Sequence, residues 1–195
     1  MRGRCYGKLD VGLSDAGGRE CEGLVAALAG EPLAAVVSSP ALRAVETASP
    51  IAAAHGLDVD VRDGLRELDF GELEGRAYDE IAASLPDLYA RWMTDPTSVR
   101  FPGGEGYEDM RRRVHATVEA CRRAYDGRLV AAVTHGGVVR AVVAGVLEMP
   151  RERIFRLAVD HASVTVVEWV AGEPTVRELN RPLRSARDAA PSDQV

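Results

Sequence analysis

Lysine is almost missing from this chain: Lys8 is the only one among 24 Lys and Arg residues, which stand against 30 Asp and Glu for a formal net charge of -6. A negative surface gives a polyanion little to bind. General nucleic-acid or membrane-surface binding is therefore not expected, and an anionic substrate has to meet a local basic pocket. Arginine suits bidentate phosphate recognition better than lysine, yet a GC-rich genome produces the same excess, so composition alone assigns no site. Cysteine is scarce as well. Cys5, Cys21 and Cys121 are odd in number and widely spaced, giving neither a disulfide framework nor the paired spacing of a zinc site, and reduced thiols are expected. No stretch approaches the run of about 20 apolar residues that crosses a bilayer, and Met1-Arg2-Gly3-Arg4-Cys5 has no apolar signal-peptide core, so a cytoplasmic protein is expected. His55, His115, His135 and His161 show no metal-ligand spacing, and no glycine-rich loop ends in Lys-Ser or Lys-Thr. These absences exclude zinc-hydrolase and kinase readings, and no metal or cofactor is expected. Repeats and low-complexity linkers are lacking too.

What is present is a chain of 195 residues with 46% hydrophobic residues, enough for one core at about 100 to 200 residues per domain. Residues 1–180 are expected to form that single domain, with 181–195 as a polar, mobile tail. Leu13-Ser14-Asp15 opens an Ala-rich helix that Ser14 caps and Gly30 ends. Ala34 to Val37 is an unbroken apolar run of the kind found in a buried parallel strand. Ser39 is placed as N-cap and Pro40 as the first residue of a helix running to His55, which Gly56 terminates. Asp58 to Gly75 reads as a strand and a long loop. Helices are expected over Tyr78 to Leu85 and Leu88 to Met93, then along the three- and four-residue spacing of Met110, Val114, Thr117, Val118 and Cys121. Leu129 to Val133 is a second buried strand, joined by Thr134-His135-Gly136-Gly137 to a helix of Val138 to Leu147. Ser163 to Val170 and Thr175 to Leu179 form a hairpin across Ala171-Gly172-Glu173-Pro174. Helices alternating with buried strands predict an α/β sandwich of three layers on a mostly parallel sheet, with ligands beyond the carboxyl ends of the strands.

Two strand-to-helix junctions place reactive groups at that edge. A helix N-terminus offers unpaired N–H groups and the positive end of a dipole, and Arg43, one turn inside its helix, can fork onto phosphate oxygens. Taken alone, Arg43 also fits a solvated helix arginine. His135, followed by two glycines that let a ligand approach the backbone, fits a functional histidine better than a core one. The segment Leu65 to Gly75 carries several carboxylates suited to general-acid work. Spacing does not choose among them.

In this order, Ser38-Ser39-Pro40-Ala41-Leu42-Arg43-Ala44 with Thr47-Ala48, Leu65-Arg66-Glu67 with Phe70-Gly71 and Glu74-Gly75, Pro102-Gly103-Gly104-Glu105 ahead of Arg113-Val114, and Thr134-His135-Gly136-Gly137 resemble the histidine phosphatase (phosphoglycerate-mutase-like) superfamily. The resemblance implies Arg43 as a phosphate-binding arginine, Glu67 as proton donor to the leaving group, His135 as the second active-site histidine and Gly136 as a backbone N–H donor. It implies a metal-independent phosphomonoester hydrolase working through a phosphohistidine, in which a neutral imidazole attacks, arginine and protonated histidine balance phosphoryl charge, and a carboxylic acid protonates the departing oxygen. The implied partner is a small phosphorylated substrate. Gly3 to Leu13 resembles a segment of alpha-ribazole phosphatases of cobalamin assembly, which implies a substrate contact for Arg4; Gly12 and Gly106 depart from the usual proline and serine.

The resemblance also implies a nucleophile in an Arg-His-Gly or Arg-His-Ala motif ending a strand just ahead of Arg4. No Arg-His pair occurs in the 195 residues, and His55 (helix end), His115 (mid-helix) and His161 (loop) are not candidates to replace it. That strand is central in the family's sheet, so its loss is expected to leave unpaired edges and an open core, and the motif is expected to be encoded upstream of Met1. A non-catalytic phosphate-binding relative is the alternative. A phosphoglycerate mutase is disfavoured, since mutases carry longer insertions around the site.

Overall fold

A computed structural model of the chain describes residues 3–183. Three parallel strands, β1 (Leu33–Ser38), β2 (Val59–Val61) and β3 (Leu129–Val133), form a sheet in the order β2-β1-β3. Side chains alternate across a strand, so neighbouring valines of β1 serve opposite layers. Val36 joins Ala48, Ile51 and Ala52 of helix α2 (Leu42–Ala54), together with Leu24, Val25 and Leu28 of α1 (Asp15–Leu28). Val37 joins Met110 and Val114 of α5 (Tyr107–Ala124) and Val138, Ala141 and Val143 of α6 (Gly136–Val146). The result is the expected three-layer α/β arrangement. A third cluster gathers Cys5, Leu73, Ile81, Trp92, Val99 and Phe101 around α3 (Tyr78–Ser84) and α4 (Pro86–Thr94). Trp92 is its hub, with ring centroids 5.1 Å from Phe101 and 5.6 Å from Phe70. All three thiols are free, and burial, with Glu74 nearby, pushes the Cys5 thiol up to about 12. Among the described residues no helix is long and apolar enough to cross a membrane.

Four expectations are corrected. Ser39 does not cap a helix that starts at Pro40: α2 starts at Leu42 with an extended Ala41 before it. Leu42 N donates to Asp10 Oδ1 at 2.8 Å, so the cap comes from a residue far away in sequence. The hairpin β4 (Val164–Val170) and β5 (Glu173–Arg181) turns on two residues, not four. Ala171 and Gly172 hold φ of +52° and +89°, the left-handed backbone that a two-residue hairpin needs. Arg181, placed in the tail by the sequence reading, ends β5; residues 184–195 lie outside the described ones.

The fourth correction concerns the sheet beside the site. β3, expected to be buried, carries no buried side chain. It pairs with β1 on one edge, from Leu33 with Leu129 to Ser38 with Val133, with a bulge between Leu33 and Ala35. Among the described residues its other edge is unpaired and β4 and β5 form a separate sheet, the unpaired edges expected where a central strand is missing. Ser39 N extends the ladder by donating to Val133 O at 2.9 Å. Among the described residues no buried side-chain nitrogen or oxygen lacks a partner.

Candidate active site

Parallel neighbours end at the same edge of a sheet, so the residues after β1 and β3 meet. Ser39, fully buried, and His135, the residue before α6, meet there with His135 Nε2 2.7 Å from Ser39 Oγ. Arg43, in the first turn of α2, brings Nη2 to 3.4 Å from His135 Nδ1. A guanidinium can only donate, so Nδ1 accepts, Nε2 carries the ring proton and Ser39 Oγ accepts it. This is a neutral imidazole. Burial, then the charges of Arg43 and Arg113, push the pKa of His135 down from 6.5 to about 3. A phosphoryl dianion beside it would offset both arginines and favour the protonated form.

Arg43 is gripped from its other side. Its Nη2 donates to Gly7 O at 2.8 Å and Nη1 to Leu9 O at 3.1 Å, and the guanidinium lies 5.5 Å from the centre of the Tyr6 ring. The loop Gly7–Leu9 thus sets where the fork points. Gly136, the first residue of α6, turns its N–H out of the helix end, where no intrahelical acceptor exists.

Glu67 follows a 3-10 turn at Asp63–Leu65. Its Oε2 accepts from Gly137 N at 3.0 Å and its Oε1 from Leu68 N at 2.9 Å, which clips the carboxylate to the start of α6. A Cβ at 137 would sit 2.2 Å from Glu67 Oε1, so any side chain there would push the carboxylate out of this place. The backbone beneath is held at every carbonyl from 64 to 67. Arg113 donates to Gly64 O, Arg66 O and Glu67 O at 3.0, 2.7 and 2.9 Å, while Thr134 Oγ1 donates to Leu65 O at 2.8 Å. Arg113 also pairs with Glu105 at 2.5 Å, both side chains being about five-sixths buried.

The fold therefore joins three of the residues singled out in the sequence: His135 touches Arg43, and Glu67 is bound to the second glycine after His135. Arg4 is engaged elsewhere, its Nη1 donating to Gly75 O at 2.7 Å and its backbone bridging to Ala77. His115 and His161 are exposed, on α5 and ahead of β4. His55 closes α2 as expected but is no free surface group: its two ring nitrogens lie 2.9 and 3.0 Å from Ile51 O and Leu28 O, tying α2 to α1. Sequence reasoning missed the roles of Ser39, Gly137, Glu74 and Arg113. Each stands inside a quoted motif, but which group each one holds is a matter of tertiary contact.

The model of the histidine phosphatase superfamily, branch 1, matches residues 1–182. The chain belongs to that superfamily. A bifunctional protein of Mycobacterium tuberculosis is 37% identical over 180 residues, 91% of this chain and 49% of the relative, so the chain spans about half the length of that protein. Phosphoserine phosphatase 1 of Hydrogenobacter thermophilus is 30% identical over 178 residues, 91% of this chain and 84% of that one. Among solved structures, a mycobacterial glucosyl-3-phosphoglycerate phosphatase matches with a TM-score of 0.81 at 26% identity, over 92% of this chain and 91% of the other. An alpha-ribazole phosphatase of Shigella flexneri, with a TM-score of 0.85 at 23% identity over 94% and 91% of the two chains, shares the fold. The phosphoglycerate-mutase-like α/β architecture of this superfamily member agrees with the sequence reading.

Proposed function

We propose that this chain carries the phosphate-binding and acid parts of a metal-independent phosphomonoester hydrolase that works through a phosphohistidine, with an attacking histidine that is not among its 195 residues. The observation that carries the reading is the meeting of Arg43 and His135 at the parallel ends of β1 and β3, beside a Glu67 clipped to the start of α6. In the reaction, a histidine nitrogen bonds to phosphorus as the ester oxygen leaves and takes a proton from Glu67; water then cleaves the phosphorus–nitrogen bond. Arg43, His135 and the N–H of Gly136 balance the phosphoryl charge. The substrate is a small phosphorylated metabolite, in keeping with the relatives named for phosphoserine and glucosyl-3-phosphoglycerate. The Gly3 to Leu13 segment adds alpha-ribazole phosphate to the substrates to test. We assign neither nucleic acid nor a membrane as partner, since the net charge of -6 disfavours both.

A second reading, a phosphate-binding protein without turnover, rests on the absence of any Arg-His pair from the 195 residues. Calorimetric titration with inorganic phosphate tests what the two readings share. Binding is expected, and Arg43→Ala should abolish it; absence of binding removes both. Hydrolysis of p-nitrophenyl phosphate separates them, measured on this chain and on one extended by an Arg-His-Gly strand ahead of Arg4. Turnover only in the extended protein supports the hydrolase, and turnover by this chain alone contradicts the assignment of the nucleophile.

A further inference from the structure

We infer that Glu74 is the positioning residue of Arg43, an inference that rests on reading Arg43 as the phosphate ligand. The Glu74 carboxylate sits in a concave run of backbone N–H groups: Gly7 N, Lys8 N and Leu9 N donate to it at 2.9, 2.9 and 3.2 Å, and Phe70 N at 3.1 Å. Successive N–H groups of this kind make an anion nest, here filled by the protein's own carboxylate. Gly7 is what lets the nest form, because a Cβ at that position would lie 1.9 Å from Leu68 O.

One peptide unit transmits the effect. The peptide joining Gly7 to Lys8 donates its N–H to Glu74 and accepts Arg43 Nη2 on its carbonyl at 2.8 Å. The described residues contain no cis peptide, and in a trans peptide the N–H and C=O point in opposite directions. Glu74 on one side therefore aims the Gly7 carbonyl at Arg43 on the other. The same Nη2 reaches His135 Nδ1, so slack in the loop is felt by the imidazole. Lys8 and Leu9 are exposed, and the surface ion pair of Lys8 with Asp69 at 3.4 Å is a weak tie beside the four N–H groups that the carboxylate holds. Glu74 touches neither His135 nor the phosphate position; it acts through Arg43.

Nitrogen-15 NMR of the histidine rings and calorimetric titration with inorganic phosphate test this on the whole chain. Glu74→Gln keeps the shape but removes the charge and one acceptor oxygen. The His135 ring signals should then move in the direction in which Arg43→Ala moves them. Phosphate binding should weaken about tenfold or more, the worth of a charge-assisted contact. A Glu74 that is merely structural would lower the melting temperature while leaving the His135 signals and phosphate binding in place, and that result overturns the inference. If His135 responds but neither protein binds phosphate, the positioning stands and the phosphate reading falls. Should Glu74→Gln fail to fold, hydrogen exchange in the unaltered chain decides. Protection of the Lys8 and Leu9 amides, on exposed residues, supports the nest, and exchange at the rate of a free loop overturns it.

Discussion

Acidification should unfold this protein through His135. In the folded state burial and two arginines hold its pKa at about 3, against the ordinary imidazole value of 6.5. Below pH 6.5 the unfolded chain takes up a proton at this residue, whereas the folded chain does not until near pH 3. Stability therefore falls as the pH falls through that window. Each pH unit inside it is worth about 1.4 kcal/mol, and the whole window about 5 kcal/mol. Folded domains of this size have roughly 5 to 15 kcal/mol in hand, so the loss is large enough to read directly. Urea unfolding at pH 7, 6, 5 and 4 should be compared between the unaltered chain and His135→Asn, which retains a donor and an acceptor but does not titrate. Asp95, Asp109 and Glu119, all held below the usual carboxylate range by hydrogen bonds, add acid sensitivity at lower pH. They do so in both proteins and cancel in the difference. The excess slope assigned to His135 should be about 1.4 kcal/mol per pH unit between pH 6 and 4. Parallel stability curves for the two proteins would refute the argument that desolvation, Arg43 and Arg113 hold this ring neutral.

Two further perturbations address the support of Glu67. Gly137→Ala drives a methyl group to 2.2 Å from Glu67 Oε1, so the hydrogen bond at the start of α6 must break, at a cost of about 1 to 3 kcal/mol. Thermal unfolding of Gly137→Ala, Glu67→Ala and the double variant checks the cause: the two effects should be far from additive, and additive losses would sink it. Arg113→Met strips the partner from a Glu105 carboxylate that is only 14% exposed and frees three loop carbonyls, for a loss of about 3 to 5 kcal/mol. Adding Glu105→Met should recover part of that loss in chemical denaturation, and no recovery would show that the ion pair is not what the single variant broke.

The strands β1 and β3 were legible because each is a short apolar run between turn residues, and such runs have few other uses in an α/β chain. The motif order led to Arg43, Glu67 and His135, and the fold brings His135 to Arg43 and the helix carrying it to Glu67. The start of α2 was not legible, because its cap, Asp10, lies on a distant loop and overrides the local Ser39-Pro40 signal. The hairpin turn carried its own signal in Ala171-Gly172, where glycine suits a left-handed backbone. Arg4 was assigned by resemblance, and its guanidinium is instead held by the Gly75 carbonyl.

By itself the sequence determined the α/β layering, since an unbroken apolar run such as that of β1 suits a strand covered on both faces, and it determined which residue types can meet a phosphate. Which residues those groups rest on was decided only by the tertiary structure. The pairing of β1 with β3, the neutral ring of His135, the grip of Arg113 on the Glu67 loop and the seat of Glu74 beneath Arg43 all depend on groups far apart in the chain. Desolvation and hydrogen-bond geometry arise only when such groups are brought together, and no local pattern encodes them.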